Sequence, residues 1–300
     1  GIAAARQGMK VALFEKEHLG GTCLNVGCIP TKYLVDKANA MEKVRALVKE
    51  DIFRDAGTFS FRRIQKGKSQ VTGKLVGGVK YLLKKAGVEI VEGQAVLKED
   101  RVVACGGREY QGRYVVIATG SEPMMIPLPG REYCIDSTGA LNLDRLPRSM
   151  VVMGGGVIGV EFATFYANLG CRVTLIEGMD RLLPTMDREL GQNLGQILKK
   201  QGVEVLTSAM VRRVEQTPEG LTVHVDQKGR EKAVSGEKVL CAIGRRPCWD
   251  GLFAPELVPE IRGRSLLVDE DFRTSIPGVY AIGDVSAVIQ LAHVAAAQGI

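Results

Sequence analysis

No apolar run in these 300 residues approaches the roughly 18 that a membrane-spanning helix needs. No segment repeats and none is compositionally simple, so a membrane protein, a solenoid and a disordered linker are not expected. No secretory leader is visible, and a soluble, cytoplasmic protein is expected. Cysteine is sparse as well. Seven residues do not make a dense disulfide framework, and five of them, Cys105, Cys134, Cys171, Cys241 and Cys248, stand alone as ordinary core or surface thiols. Isolated thiols beside one local pair, Cys23 and Cys28, fit a reducing compartment, where a disulfide is more often catalytic than structural. The net charge of +6 arises from 40 basic against 34 acidic residues. Its densest stretch, Arg62 to Lys85, lacks the interleaved aromatics of a nucleic-acid surface, so it reads as solvated helix and loop with no nucleic-acid partner. The chain is longer than one hydrophobic core usually grows, and two domains are expected.

What the sequence has in excess is glycine, 36 residues gathered in a few clusters. One cluster follows the apolar run at Val151: Gly154, Gly156 and Gly159 form G-x-G-x-x-G, with Val157 and Ile158 inside it, a helical pattern behind it, and Glu177 closing the next apolar run. The spacing alone recurs by chance; strand, turn, helix, strand and acid together specify a dinucleotide site. The first glycine allows a tight turn, the second lets backbone approach a diphosphate, and the third lets helix pack on strand. The diphosphate then lies on the helix N-terminus, whose unpaired N–H groups favour negative charge. A carboxylate at Glu177 accepts from a ribose 2′-hydroxyl and repels a 2′-phosphate, which favours NAD over NADP. The competing reading makes Glu177 a solvated strand-end residue, with Arg172 and Arg181 making room for a phosphate.

Gly170 to Glu177 aligns with Gly8 to Glu15, glycine on glycine and acid on acid, so a second dinucleotide unit shares the register. The counterpart of Gly159 would lie four residues before Gly1. The expectation is therefore a chain that begins inside the first helix of that unit, its glycine turn lying upstream.

Cys23 and Cys28 follow Glu15 within the stretch GGTCLNVGCIPTK. In an ideal helix residues five apart are separated by about 8 to 9 Å at Cα, whereas a disulfide needs about 7 Å or less. The pair can bond only if the backbone between them departs from a helix, and Asn25 and Gly27 tolerate that. Pro30 suits an early helical position, with helix expected from Thr31 to about Leu47. Two other readings stand beside a redox pair. One is half of a zinc site, for which His18, His224 and His293 supply no matching half; the other is a plain structural disulfide.

These residues resemble the signature of the class I pyridine nucleotide-disulfide oxidoreductases, and Leu24 and Ile29 resemble the dihydrolipoamide dehydrogenase branch of that family. GGGVIGVE, VVIATGSEP at 115 to 123 and TSIPGVYAIGDV at 274 to 285 extend the resemblance along essentially the whole chain. It implies an α/β fold of two Rossmann-like domains: an FAD domain of residues 1–145 and 272–300, an NAD domain of residues 146–271 inserted within it, and a C-terminal dimerisation domain absent from this sequence. It implies that Glu15 holds the FAD ribose, that Gly20, Gly21 and Thr22 lie along the cofactor, and that Lys32 sits near the flavin with Glu161 as its ionic neighbour. Ala95, Thr119, Gly120 and Ser121 are implied FAD contacts. Asp284 is placed toward the ribityl chain, and Gln290, Leu291, Ala292 and His293 open a helix under the flavin. Val211 and Gly244 are implied contacts to the nicotinamide nucleotide.

The same resemblance implies a two-electron relay in which dihydrolipoamide exchanges with Cys23 while Cys28 passes electrons to FAD and on to NAD. The implied partners are a lipoyl carrier domain of a 2-oxoacid dehydrogenase or glycine cleavage complex, and a second copy of the chain in a homodimer. In the family a histidine and glutamate of the C-terminal domain complete the site, so this chain alone is expected to turn over lipoamide poorly. A related reductase of glutathione-like disulfides or mercuric ion, and a non-catalytic nucleotide-binding flavoprotein, remain alternatives.

Overall fold

The computed structural model describes residues 1–218, 220–286 and 289–300. They fall into two compact units.

In the unit formed by Val26–Thr72 and Pro123–Gly244, the strand Ser149–Met153 is buried at every position. Alternate strand residues point to opposite faces: Met150 and Val152 join one core, Val151 and Met153 another. Burial on both faces is characteristic of parallel sheet. The strand pairs in parallel with Arg172–Ile176 on one side and Lys238–Cys241 on the other, and Glu204–Leu206 continues the sheet beyond Arg172–Ile176. Helices close the first core. Phe162, Phe165 and Tyr166 come from Val157–Asn168, and Leu34 and Ala38 from Cys28–Lys49. An antiparallel meander of Ala209–Thr217, Gly220–Gln227 and Arg230–Gly236 closes the second with Val214, Val223, Val225 and Val234.

Polar groups are buried in this unit as well. The Tyr166 hydroxyl donates to the Ala140 carbonyl at 2.6 Å, and burial pushes its phenol well above the usual range. Lys68 corrects the expectation for Arg62 to Lys85. That stretch belongs to one helix, Phe61–Lys85, with no loop, and Lys68 is buried rather than solvated. Its ammonium donates to the Leu141 carbonyl at 2.5 Å and Asn142 Oδ1 at 2.9 Å, and burial lowers its pKa.

The other unit comprises Gly1–Asn25, Gly73–Glu122 and Arg245–Ile300. It holds two parallel strand pairs, Ala12–Glu15 with Glu89–Glu92 and Val115–Ile117 with Val279–Ala281. It also holds the antiparallel meander Ala95–Leu97, Val102–Cys105 and Arg108–Gln111. Leu97, Val103, Ile117, Val279, Ala281 and Val285 form its core. The compact units thus group segments that are far apart in sequence. Val26–Thr72, for example, lies with the strand Ser149–Met153.

Removing only the Tyr166 hydroxyl leaves the buried Ala140 carbonyl without that donor. Tyr166→Phe is expected to cost about 1–2 kcal/mol of stability, read as a lower urea midpoint at unchanged slope; an unmoved midpoint would show that the bond contributes nothing net.

Candidate dinucleotide and thiol sites

The strand Ser149–Met153 ends in Gly154-Gly155-Gly156, and the helix Val157–Asn168 begins at once. Gly154 has φ +109°, and a Cβ there would overlap the Ala242 carbonyl. A Cβ on Gly159 would overlap the Gly154 carbonyl. The protein itself therefore requires glycine at both positions. Gly156 is different, because a Cβ there would have no heavy atom within 4 Å. The space at that glycine is open, beside the start of a twelve-residue helix with no side-chain cap and no acid in its first turn. These residues fit a dinucleotide diphosphate.

Glu177 directly follows the strand Arg172–Ile176 and is buried. Its Oε2 accepts from the Gly155 N–H at 2.6 Å and its Oε1 from the Met179 N–H at 2.7 Å. This is not a solvated strand-end carboxylate. Arg172 starts the same strand, so it lies about 16 Å from Glu177 by strand rise. Arg181 is engaged by Asp180 at 3.0 Å and the Pro184 carbonyl at 3.0 Å. Within the turn Val157 is exposed and Ile158 half-buried. Val211 packs against the second core at a register irregularity of its strand, and Gly244, with φ +136°, accepts from the Met124 N–H at 3.0 Å.

Gly20 and Gly21 both have left-handed backbones, φ +100° and +74°. They lead into the short helix Gly21–Asn25, which carries Thr22 and Cys23. The Asn25 amide donates to the Leu19 and Gly21 carbonyls at 3.1 and 2.9 Å. Helix stops there, and a new one, Cys28–Lys49, begins after Gly27 at φ −135° and ψ −121°. No continuous helix runs from Cys23 to Cys28, and the second helix starts three residues before Thr31, where it was expected. Cys23 is half-buried and Cys28 exposed, both as thiols. Lys32, one turn into the second helix, forms an ion pair with Glu161 of Val157–Asn168 at 3.1 Å.

Glu15 is the last residue of its strand, where Glu177 is the first beyond its own, and its Oε1 likewise accepts from an N–H two residues on, that of Glu17, at 2.9 Å. Asp284 lies just beyond the strand Val279–Ala281. It accepts from the buried Ser121 hydroxyl at 2.6 Å, and that hydroxyl accepts from Arg245 Nε at 2.8 Å. The hydroxyl's single proton is thereby committed to the carboxylate. Ala95 begins a strand, and Thr119 and Gly120 follow Val115–Ile117 with Gly120 at φ +71°. An added Cβ on Gly21 or Gly120 would meet no heavy atom within 4 Å. Two strand-end carboxylates and open glycine backbone, outside the carboxyl ends of parallel strands, fit FAD. One expectation needs correcting: the helix is Ala292–Gln298, so Ala292 and His293 lie in it while Gln290 and Leu291 precede it. His293 is exposed, which excludes a buried, satisfied imidazole. Sequence reasoning passed over Arg245 and Gly155. The first carries no spacing signal, whereas the run of three glycines did mark the second.

The chain matches the family model of the pyridine nucleotide-disulphide oxidoreductases over residues 1–299. The dihydrolipoyl dehydrogenase of Geobacillus stearothermophilus is 39% identical across 99% of this chain and 65% of its own length. That of Staphylococcus aureus is 40% identical across 97% of this chain and 64% of its own. Among solved structures, the Cu(II) complex of the HOCl-induced flavoprotein disulfide reductase RclA from Escherichia coli is 30% identical. It is similar at a TM-score of 0.86 over 99% of this chain and 65% of that one. The chain thus spans about 65% of the length of such relatives.

The glycine environments predict opposite phenotypes. Gly156→Ala is expected to leave stability within about 0.5–1 kcal/mol of the wild type while weakening NADH binding. Gly159→Ala is expected to destabilise by about 1–3 kcal/mol. Thermal melts and NADH fluorescence titrations separate the two, and equal melting losses would contradict the assignment of Gly156 to the ligand.

Proposed function

We propose, from the premise that this chain belongs to the pyridine nucleotide-disulphide oxidoreductase family, that it oxidises dihydrolipoamide to lipoamide and delivers the electron pair to NAD. The observation that carries this reading is the setting of Cys28. It is the first residue of a 22-residue helix, and Lys32, whose ammonium is fixed by Glu161 at 3.1 Å, lies one turn along the same face. That setting leaves the Cys28 thiol exposed at the start of a helix, open to an incoming sulfur.

In the proposed exchange a thiolate of dihydrolipoamide attacks Cys23 of a Cys23–Cys28 disulfide. The Cys23–Cys28 bond breaks, a mixed disulfide forms, and Cys28 leaves as a thiolate. The second substrate thiol then attacks its own sulfur in the mixed disulfide, which releases Cys23 and closes the lipoamide disulfide. Two electrons and two protons have left the substrate. Bound FAD supplies the two-electron connection from Cys28 to the nicotinamide of NAD, which departs as NADH. Glu15, the Gly20–Thr22 segment, Lys32, Ala95, Thr119 to Ser121, Asp284 and the Gln290–His293 segment hold the flavin nucleotide. Gly154 to Gly159, Glu177, Val211 and Gly244 hold NAD, with the buried carboxylate of Glu177 selecting against a 2′-phosphate. In functional terms residues 1–145 and 272–300 serve FAD and residues 146–271 serve NAD. The protein works in the cytoplasm as a homodimer, receiving its substrate on a lipoyl carrier domain of a 2-oxoacid dehydrogenase or glycine cleavage complex.

The test is anaerobic addition of dihydrolipoamide to FAD-saturated protein while flavin absorbance is followed. Wild type is expected to show flavin reduction in this half-reaction, even where steady-state lipoamide turnover is slow without the family's C-terminal histidine and glutamate, and Cys23→Ser and Cys28→Ser to slow it by at least about a hundredfold each, as loss of a reacting nucleophile does. Reduction by glutathione instead, or NADPH oxidation with mercuric ion, would favour the related reductases. An inert flavin with every donor would favour a non-catalytic nucleotide-binding protein.

A further inference from the structure

Gly155 occupies a position that the G-x-G-x-x-G pattern leaves open to any residue, yet the structure holds it on every side. Its N–H donates to Glu177 Oε2 at 2.6 Å, and its carbonyl accepts from the Leu183 N–H at 2.9 Å. A Cβ there would stand 2.6 Å from Leu182 Cδ2 and 3.0 Å from both Cβ and Oε2 of Glu177. Leu182 is itself buried, and its carbonyl lies so close to Gly191 of the helix Arg188–Lys200 that a Cβ there would overlap it. The other carboxylate oxygen of Glu177 accepts from Met179 at 2.7 Å. The segment from Glu177 to Leu183 is thus bound at its start, and through Leu183 at its end, to the middle of the glycine turn.

We infer that Gly155 couples the two halves of nucleotide recognition, so that the turn facing the diphosphate and the Glu177–Leu183 segment facing the ribose 2′ position move as one piece. The inference rests on the reading of this turn as the NAD site and adds a second role for Glu177. Its charge opposes a 2′-phosphate, and its Oε2 positions the turn. Removing the acid does not simply relax selection between NAD and NADP, because the buried Gly155 N–H loses its acceptor and the diphosphate cradle loses its brace. Gly155 and Glu177 are positioning residues here, and Gly155 needs no contact with the ligand to matter.

The test compares Glu177→Ala, Glu177→Gln, Gly155→Ala and the double variant Gly155→Ala/Glu177→Ala, all in the full chain. In nucleotide-free protein, Glu177→Ala is expected to speed amide exchange at Gly155 and Met179 at least about tenfold, leaving the core amide of Val152 unchanged; a global loss of stability would move all three. Glu177→Gln, which keeps one acceptor oxygen, is expected to retain protection at only one of the two. Glu177→Ala is expected to weaken NADH at least about tenfold without strengthening NADPH. The Gly155→Ala penalty on NADH is expected to shrink in the double variant, because the Gly155–Glu177 hydrogen bond that the added methyl disturbs is already gone. Unchanged exchange at Gly155 in Glu177→Ala, strictly additive penalties, or NADPH bound by Glu177→Ala as tightly as the wild type binds NADH would each overturn the coupling. A wild type that shows the exchange pattern and binds neither nucleotide would overturn the NAD reading while upholding the coupling.

Discussion

The close approach of Gly154 to the Ala242 carbonyl sets the geometry of the candidate nucleotide site. Ser149–Met153 and Lys238–Cys241 run side by side in parallel, and the chain must leave the first strand over the end of the second. A side chain at residue 154 would occupy the Ala242 carbonyl, so the turn can be this tight only with glycine. That tightness brings residues 154 to 156 directly beneath the start of Val157–Asn168, and it lets Gly159 press on the Gly154 carbonyl. The helix N-terminus is then aimed at the space left open at Gly156. Full burial of Ser149–Met153 makes the arrangement stiff, since both faces of the strand are packed, one by helices and one by the meander.

Much of this could be read from residues alone because it is local. A strand, a glycine turn, a helix and a strand-end acid follow one another within thirty residues, and each has a chemical reason that spacing preserves. The aligned acids show how far such reading reaches. Glu15 and Glu177 were paired by register alone, and both accept from the N–H two residues further on, at 2.9 and 2.7 Å. The break between Cys23 and Cys28 belongs to the same class, since a bond between them needs a backbone that is not a helix and Gly27 allows one.

Interactions between distant segments were not readable in that way. Lys32 and Glu161 are separated by 129 positions, and only family resemblance joined them before the structure did. The relay from Arg245 through Ser121 to Asp284 draws on three separate stretches, and nothing in the order of residues announces that one hydroxyl serves an arginine and a carboxylate together. Lys68 was assigned to solvent because lysines in a basic run usually face it. It is buried because the end of Ser137–Leu141 offers the carbonyl of Leu141, with Asn142 beside it, as acceptors. In each case tertiary packing supplied a partner that composition could not anticipate.

The seven thiols show the same contrast in chemical terms. Burial raises Cys134 and Cys171 to about 12, and raises Cys241 and Cys248 as well. At neutral pH those groups are protonated and poor nucleophiles. Cys105 is buried in its meander. Cys28 is exposed at the start of a long helix with Lys32 one turn away, and Cys23 is half-buried on the short helix before it. Sequence had already separated the pair from the five by spacing. The structure gives that separation a physical basis: four of the five are held as thiols by the surroundings that bury them, while the pair lies where a partner sulfur can approach.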